Sequence, residues 1–265
     1  MRAIQGAVVA GAFLSLAACL ASAENTSADA IVDRGIRGLG GKQWLAKFNI
    51  ATWKSESTFT IGDESTRVAS TLIVQGIDHF RQEFVNFGSL RGRIVDPGEP
   101  SGVSLIAGNS GVQKFGESDL KLDKGLVEMQ KRLVYLTVVP VTLLPLKSTQ
   151  FHMKRAPDAK VNGKLANGIK AVGPDKRPFR LYFDKSTGLP ARLIVDLVTE
   201  RGLPTHQETT YNDYRWMSGV QKATRITVLR DGKPFVEHKI SEFAFLHSVD
   251  PATFTDTTLR SASLR

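Results

Sequence analysis

From Ala51 onward the sequence is dominated by a period of two. In "ATWKSESTFTI" the residues Trp53, Phe59 and Ile61 share one parity, and Lys54, Glu56, Thr58 and Thr60 share the other. Because side chains alternate across a strand, this pattern describes a strand that is dry on one side and wet on the other. "TRVASTLIVQGI" repeats it with Val68, Leu72 and Val74, and "HFRQEFVNF" sets Phe80 and Phe84 against Arg81 and Glu83. The shorter runs "RGRIVD", "GVSLIA" and "GVQKFG" are separated by Pro-Gly, Gly-Asn and Gly turn signals. After Gln150 come "FHMKRA", "ANGIKAVG", "FRLYFD", "ARLIVDLV", "HQETTYNDYRW", "VQKATRITVLRDG" and "FVEHKISEFAF". In the last of these the apolar parity moves from Val236 and Ile240 to Phe243 and Phe245, which predicts a bulge near Ser241-Glu242. Strands of this length joined by tight turns form an antiparallel meander. With neither linker nor repeat, residues 24–265 read as a single mainly β domain of about ten strands, with 255–265 a frayed tail.

Two stretches follow a helical period instead. Ser27 can cap a helix carrying Ile31, Val32, Ile36 and Leu39, weakened by Gly35 and Gly38 and ended by Gly40-Gly41. "KQWLAKF" places Trp44, Leu45 and Phe48 on one face of a second short helix. In mid-chain, Leu122, Leu126, Met129, Leu133 and Leu136, widened by Val127 and Val134, form an amphipathic stripe, with Lys121, Lys124, Glu128, Lys131 and Arg132 elsewhere. Ser118 serves as its cap. The stripe runs into "TVVPVTLLPL", where Pro140 and Pro145 argue against further helix. That segment is either a buried core connection or an apolar lid beside a ligand cavity.

The first 23 residues differ in kind. Arg2 precedes an uncharged, mostly apolar run, and polar sequence begins at Glu24, the pattern of a signal peptide with Ala21-Ser22-Ala23 as cleavage site. Leu16-Ala17-Ala18-Cys19 is similar to the bacterial lipoprotein processing box. Two outcomes stay open: a periplasmic or secreted soluble protein cut after Ala23, or a lipoprotein anchored through a lipidated Cys19. Cys19 is the single cysteine, so a chain cut after Ala23 has no disulfide, thiolate metal site or cysteine nucleophile. No later run reaches the ~20 apolar residues of a membrane helix. The formal charge of +9 is spread without a basic run, which with export argues against a nucleic-acid partner and for a solvated basic surface.

The chemical inventory is thin. In "YFDKSTGLPARLIVD" the cluster Asp184-Lys185-Ser186-Thr187 looks reactive, but Asp184 and Gly188 are the residues a hairpin loop asks for. "GNSG" lacks the spacing of a nucleophile elbow, and "SDLK" stands without the partner motifs of a Ser-x-x-Lys enzyme. His79, His152, His206, His238 and His247 lie far apart in sequence, so no metal ligand set is legible. The expectation is a protein with no catalytic residue, no metal and no cofactor.

"GLGGKQWLAKF", "KVNGKLANGIKAVG", "LYFDKSTGLPARL" and "YNDYRWMSGVQKATRITVLRDGKP" resemble the LolA-like and LolB-like superfamily of outer-membrane lipoprotein carriers. The likeness is closer to secreted bacterial relatives called lipoprotein-sorting proteins, and it extends over about 28–255. It implies an incomplete antiparallel barrel, a half-barrel wrapped around the N-terminal helix and the mid-chain helix, whose apolar face receives acyl chains. It also admits relatives that sense envelope stress. No charged cavity residue of the carriers falls on a matching motif here.

Together these readings give an exported protein holding a lipid, or the acyl chains of a lipoprotein, between sheet and helical lid. The expected lining is Phe59, Ile61, Leu72, Val74, Phe80, Phe84, Phe151, Met153, Phe183 and Leu193, with Leu126, Leu133 and Leu143 from the covering segment. Further partners would be a membrane surface or another envelope protein, met as a monomer. The alternative is a structural or sensory envelope module with a filled core. A hydrolase is disfavoured by the missing constellation.

Overall fold

A computed structural model describes residues 26–47, 49–87, 102–116, 118–199 and 202–258. The signal-like segment with Cys19 and Ala23, Phe48, the run 91–96 and the tail residues 259–265 lie outside these. Three α-helices are present among the described residues: α1 (Ala28–Gly38), α2 (Lys42–Leu45) and α3 (Lys124–Thr142). The strands before α3 are β1 (Ile50–Ile61), β2 (Glu64–Gln75), β3 (His79–Phe87), β4 (Gly102–Ala107), β5 (Ser110–Phe115) and β6 (Ser118–Lys121). Those after it are β7 (His152–Val161), β8 (Lys164–Val172), β9 (Pro178–Asp184), β10 (Pro190–Val198), β11 (Pro204–Met217), β12 (Val220–Arg230) and β13 (Lys233–Phe245).

The thirteen strands among the described residues form one antiparallel sheet in the order β6-β5-β4-β3-β2-β1-β13-β12-β11-β10-β9-β8-β7. Each adjacent pair is consecutive in the chain except β1 with β13, which join the two halves. The sheet is open, with β6 and β7 at opposite edges, and α3 carries the chain from one edge to the other. This exceeds the ten or so strands expected. One reason is "SDLK": its four residues are all exposed and pair with β5 through backbone bonds, so no apolar alternation announces them.

Local chemistry explains most of the joints. Two-residue loops at Asn162-Gly163, Ser218-Gly219 and Asp231-Gly232 have both φ angles positive, the geometry that matches hairpin twist. The predicted bulge is present: Lys54 pairs with Glu242 and Ser55 with Ile240, which leaves Ser241 over. Asp184 Oδ1 accepts from the Ser186 and Thr187 N–H groups, and Gly188 at φ 78 closes the loop with its N–H on the Asp184 carbonyl at 2.8 Å. That loop is structural.

Ser27 caps α1 as expected, accepting from the Ala30 N–H. Gly35 and Gly38 are packing positions. A Cβ on Gly35 would meet Leu143 Cδ1 at 2.6 Å and Phe183 Cε1 at 3.0 Å, so glycine lets the connection after α3 seat against α1.

Three expectations about α3 need correction. Its cap is Asp123, whose carboxylate accepts from the Leu126 N–H, and Ser118 lies in β6. Pro140 lies inside the helix, which continues to Thr142 and ends where Leu143 turns to φ 59. So close to the C-terminus, one missing N–H bond is tolerated when packing holds the turn. Arg132 is buried instead of solvated, because Asp175, Tyr135 and the Pro178 carbonyl all accept from its guanidinium.

The main core lies between the helices and one face of the sheet, and a small cluster of Val161, Ala166, Tyr182 and Ile194 forms a second one. After the predicted closing turn, a short 3-10 helix at Pro251–Phe254, buried Arg81 of β3 donates to the carbonyls of Thr253, Asp256 and Thr258. This holds the described part of the C-terminal segment onto the sheet. Among the described residues no helix is long and apolar enough to cross a membrane.

Candidate functional site

α3 meets the sheet mainly at β4 and β5 on one side and at β10 on the other, so it bridges the central strands. Val127, Val134, Tyr135, Val138 and Val139 pack into the core. Leu133, Leu136, Thr137, Pro140 and Val141, at helical spacing on one face, roof a cavity of about 260 Å³. Trp53 and Phe59 of β1, Leu193 of β10 and side chains of β11, β12 and β13 complete the wall. Most of this lining is apolar. "TVVPVTLLPL" is thus both core connection and cavity rim: Val138 and Val139 are buried in the core, while Pro140 and Val141 face the cavity.

The polar part of the wall comes from β11, β12 and β13. Asp213, at φ 55, turns β11 so that both Tyr211 and Tyr214 reach the cavity. Burial raises the pKa of both phenols, and Tyr214 donates to the Pro190 carbonyl at 2.7 Å. Lys222 is only 4% exposed, and burial pulls its pKa down to about 7. Its Nζ lies 4.6 Å from the Trp53 ring centroid and 5.1 Å from that of Phe243. Arg230 stacks over Phe235 at 3.6 Å and donates through Nε to Gln207. Burial holds His238 down at about 4, and its Nδ1 is 2.7 Å from Ser57 Oγ.

The Ser57–His238 pair has the outline of a nucleophile and base, but the chemistry does not follow. Ser57 is buried outside the cavity lining, and an imidazole titrating near 4 is a weak base at neutral pH. Among the described residues no three potential ligands gather into a metal site. The arrangement suits binding by burial, with basic groups on one wall.

Of the thirteen expected lining residues, Phe59, Leu133 and Leu193 border this cavity. Leu72, Val74, Phe80, Leu143, Phe151 and Phe183 are buried in the core, with Leu126 and Met153 partly buried against it. Phe84 packs near Phe115, their ring centroids 5.6 Å apart. Ile61, at the end of β1, is 68% exposed. The lining from β11 to β13 was not expected. The sequence carried no clear signal for Lys222, since its parity on β12 holds Thr224 and Arg230 as well as Val220, Ile226 and Val228.

An open, helix-bridged antiparallel sheet with an apolar cavity under the bridge defines the class, and comparison with solved structures places it. The fold is LolA-like. A LolA superfamily protein from Nitrosomonas europaea aligns over 86% of this chain and 97% of its own, with a TM-score of 0.56 at 11% identity. A domain from Vibrio parahaemolyticus named for outer membrane lipoprotein sorting aligns over 84% and 97%, at TM-score 0.53 and 10% identity. A DUF1329 family protein from Desulfovibrio piger aligns over 85% and 96%, at 0.54 and 10%. No family model matches the sequence, and no curated protein matches it.

Proposed function

We propose that this is an exported envelope protein that binds an apolar ligand, a lipid or the acyl chains of a lipoprotein, in the cavity between α3 and the sheet. The observation that carries the reading is the cavity itself, about 260 Å³ of mostly apolar space bridged by a helix. That is slightly below the roughly 300–1,000 Å³ common for small-molecule pockets. Burial at ~25 cal/mol per Å² of apolar surface would drive binding, less the cost of ordering the ligand. The LolA-like fold supports the reading, since a fold-mate is named for lipoprotein sorting. The protein acts by binding and not by catalysis, as a monomer, near a membrane surface or another envelope protein.

The test is native mass spectrometry of the purified protein with solvent extraction of what it carries. A co-purifying lipid, or saturable uptake of a fluorescent acyl probe, is the expected result. A lipid-free protein that also ignores the probe would leave the filled-core envelope module as the better account.

A further inference from the structure

Among the described residues the ionisable side chains on the cavity wall, phenols apart, are Lys222, Arg230 and His238; no aspartate or glutamate lines it. Two of the three are engaged, Arg230 with Gln207 and Phe235, and His238 with Ser57. Lys222 differs. Its Nζ lies over two ring faces, those of Trp53 and Phe243, and among the described residues it makes no hydrogen bond. Ring faces attract a cation but accept none of its hydrogen bonds, so the donors of this ammonium are left to whatever occupies the cavity.

Lys222 is only 4% exposed, where an aliphatic side chain would fill the same space with no desolvation penalty. A cation that faces an apolar cavity without a carboxylate would make strong charge-assisted hydrogen bonds to an anion arriving with a ligand. The volume bears on the rest of that ligand. At roughly 30 Å³ per methylene, about 260 Å³ is room for at least one medium-length acyl chain.

Building on the reading of this cavity as an apolar pocket, we infer that its ligand is a single-chain amphiphile with an anionic head group, and that the Lys222 ammonium is the counter-ion of that head group. The chain lies under Leu133 and Pro140, and the acid end points at β12. The same head-group chemistry is offered by a free fatty acid and by an anionic lysophospholipid.

The experiment compares affinities of the whole protein for four probes: dodecanoate, dodecan-1-ol, dodecyltrimethylammonium and lauroyl-lysophosphatidylglycerol. Each is titrated against a bound fluorescent naphthylamine, on the natural protein and on Lys222→Met. Dodecanoate, the lysophospholipid or both should bind about tenfold or more tighter than dodecanol, and the cation more weakly than either. Which anion wins identifies the source. In Lys222→Met the preference for the anion should collapse while dodecanol binding stays within about threefold, because the apolar wall is kept. If dodecanol binds and the anions bind no tighter, or if Lys222→Met keeps the preference, the head-group assignment is wrong and the pocket reading survives. If no probe binds, both fall.

Discussion

Arg132 Nη1 of α3 donates to Asp175 Oδ2 at 2.6 Å, in the loop between β8 and β9. Tyr135 and the Arg177 N–H donate to the other carboxylate oxygen, so one acid anchors the helix that roofs the cavity. Burial alone would raise the Asp175 carboxyl, but these donors and Arg132 hold it below the usual carboxylate range. Asp175→Asn should therefore lower stability by about 3–5 kcal/mol at neutral pH, as breaking one side of a buried pair does. Since the folded pKa is the lower one, the contribution exists above the unfolded value near 3.8 and disappears as pH falls through the folded value. Urea unfolding of both proteins from pH 7 to pH 2 checks this: the gap should close in acid.

Lys222 has the opposite sign. Its pKa falls from 10.5 to about 7 on folding, so the unfolded chain holds more protons between those values and stability rises with pH across that window. The remaining charged neighbour on β11, its cross-strand partner Arg215, is exposed and of like charge. Lys222→Met should stabilise the ligand-free protein below pH 7, by on the order of a few kcal/mol. The gain should shrink toward pH 10.5, and a constant gain would show that packing and not charge is responsible.

His238 predicts a separate acid limb. Its pKa drops from 6.5 to about 4 on folding, because burial disfavours the charged ring. Between those values the unfolded state binds the extra proton, so stability is lost as pH falls from 6.5 to 4. Replacing His238 with Gln should flatten thermal stability across that interval by about a few kcal/mol at its acid end, relative to the natural protein.

Gly35→Ala tests the seam between α1 and the connection after α3. On an isolated helix this change would help by about 1 kcal/mol. Here the new methyl meets Leu143, Phe183 and the Gly188 carbonyl within 3.1 Å, so a net loss of about 1–3 kcal/mol is expected. Chemical denaturation gives the sign directly.

Ala223→Phe fills the cavity from its β12 wall, where Ala223 is 5% exposed. Uptake of an acyl probe should weaken at least about tenfold while the far-ultraviolet spectrum and cooperative unfolding are kept. Unchanged uptake would place the apolar site elsewhere.

Much of the fold was readable because it rests on short-range rules. Alternation of apolar and polar residues marked β1, β2 and β10, the parity change foretold the bulge at Ser241, and Asp184 with Gly188 specified their own loop. Where local signal was absent the reading slipped. Exposed β6 had no apolar phase, and Arg132 lay off the stripe yet is buried by partners more than 40 residues away.

The candidate site was less legible, for a related reason. A strand's apolar parity says which side chains are dry but not whether they meet a cavity or other side chains. That depends on where α3 crosses the sheet, which puts Phe59 and Leu193 beneath it while Leu72 and Phe183 pack solidly. The sequence by itself determined an antiparallel, one-sided sheet with an amphipathic helix inserted between its halves, because strand period, turn chemistry and capping act within a few residues. Only the tertiary structure decided that β1 pairs with β13, that the helix bridges the joined halves, and that Lys222 faces the space left beneath, because those outcomes join residues far apart in the chain.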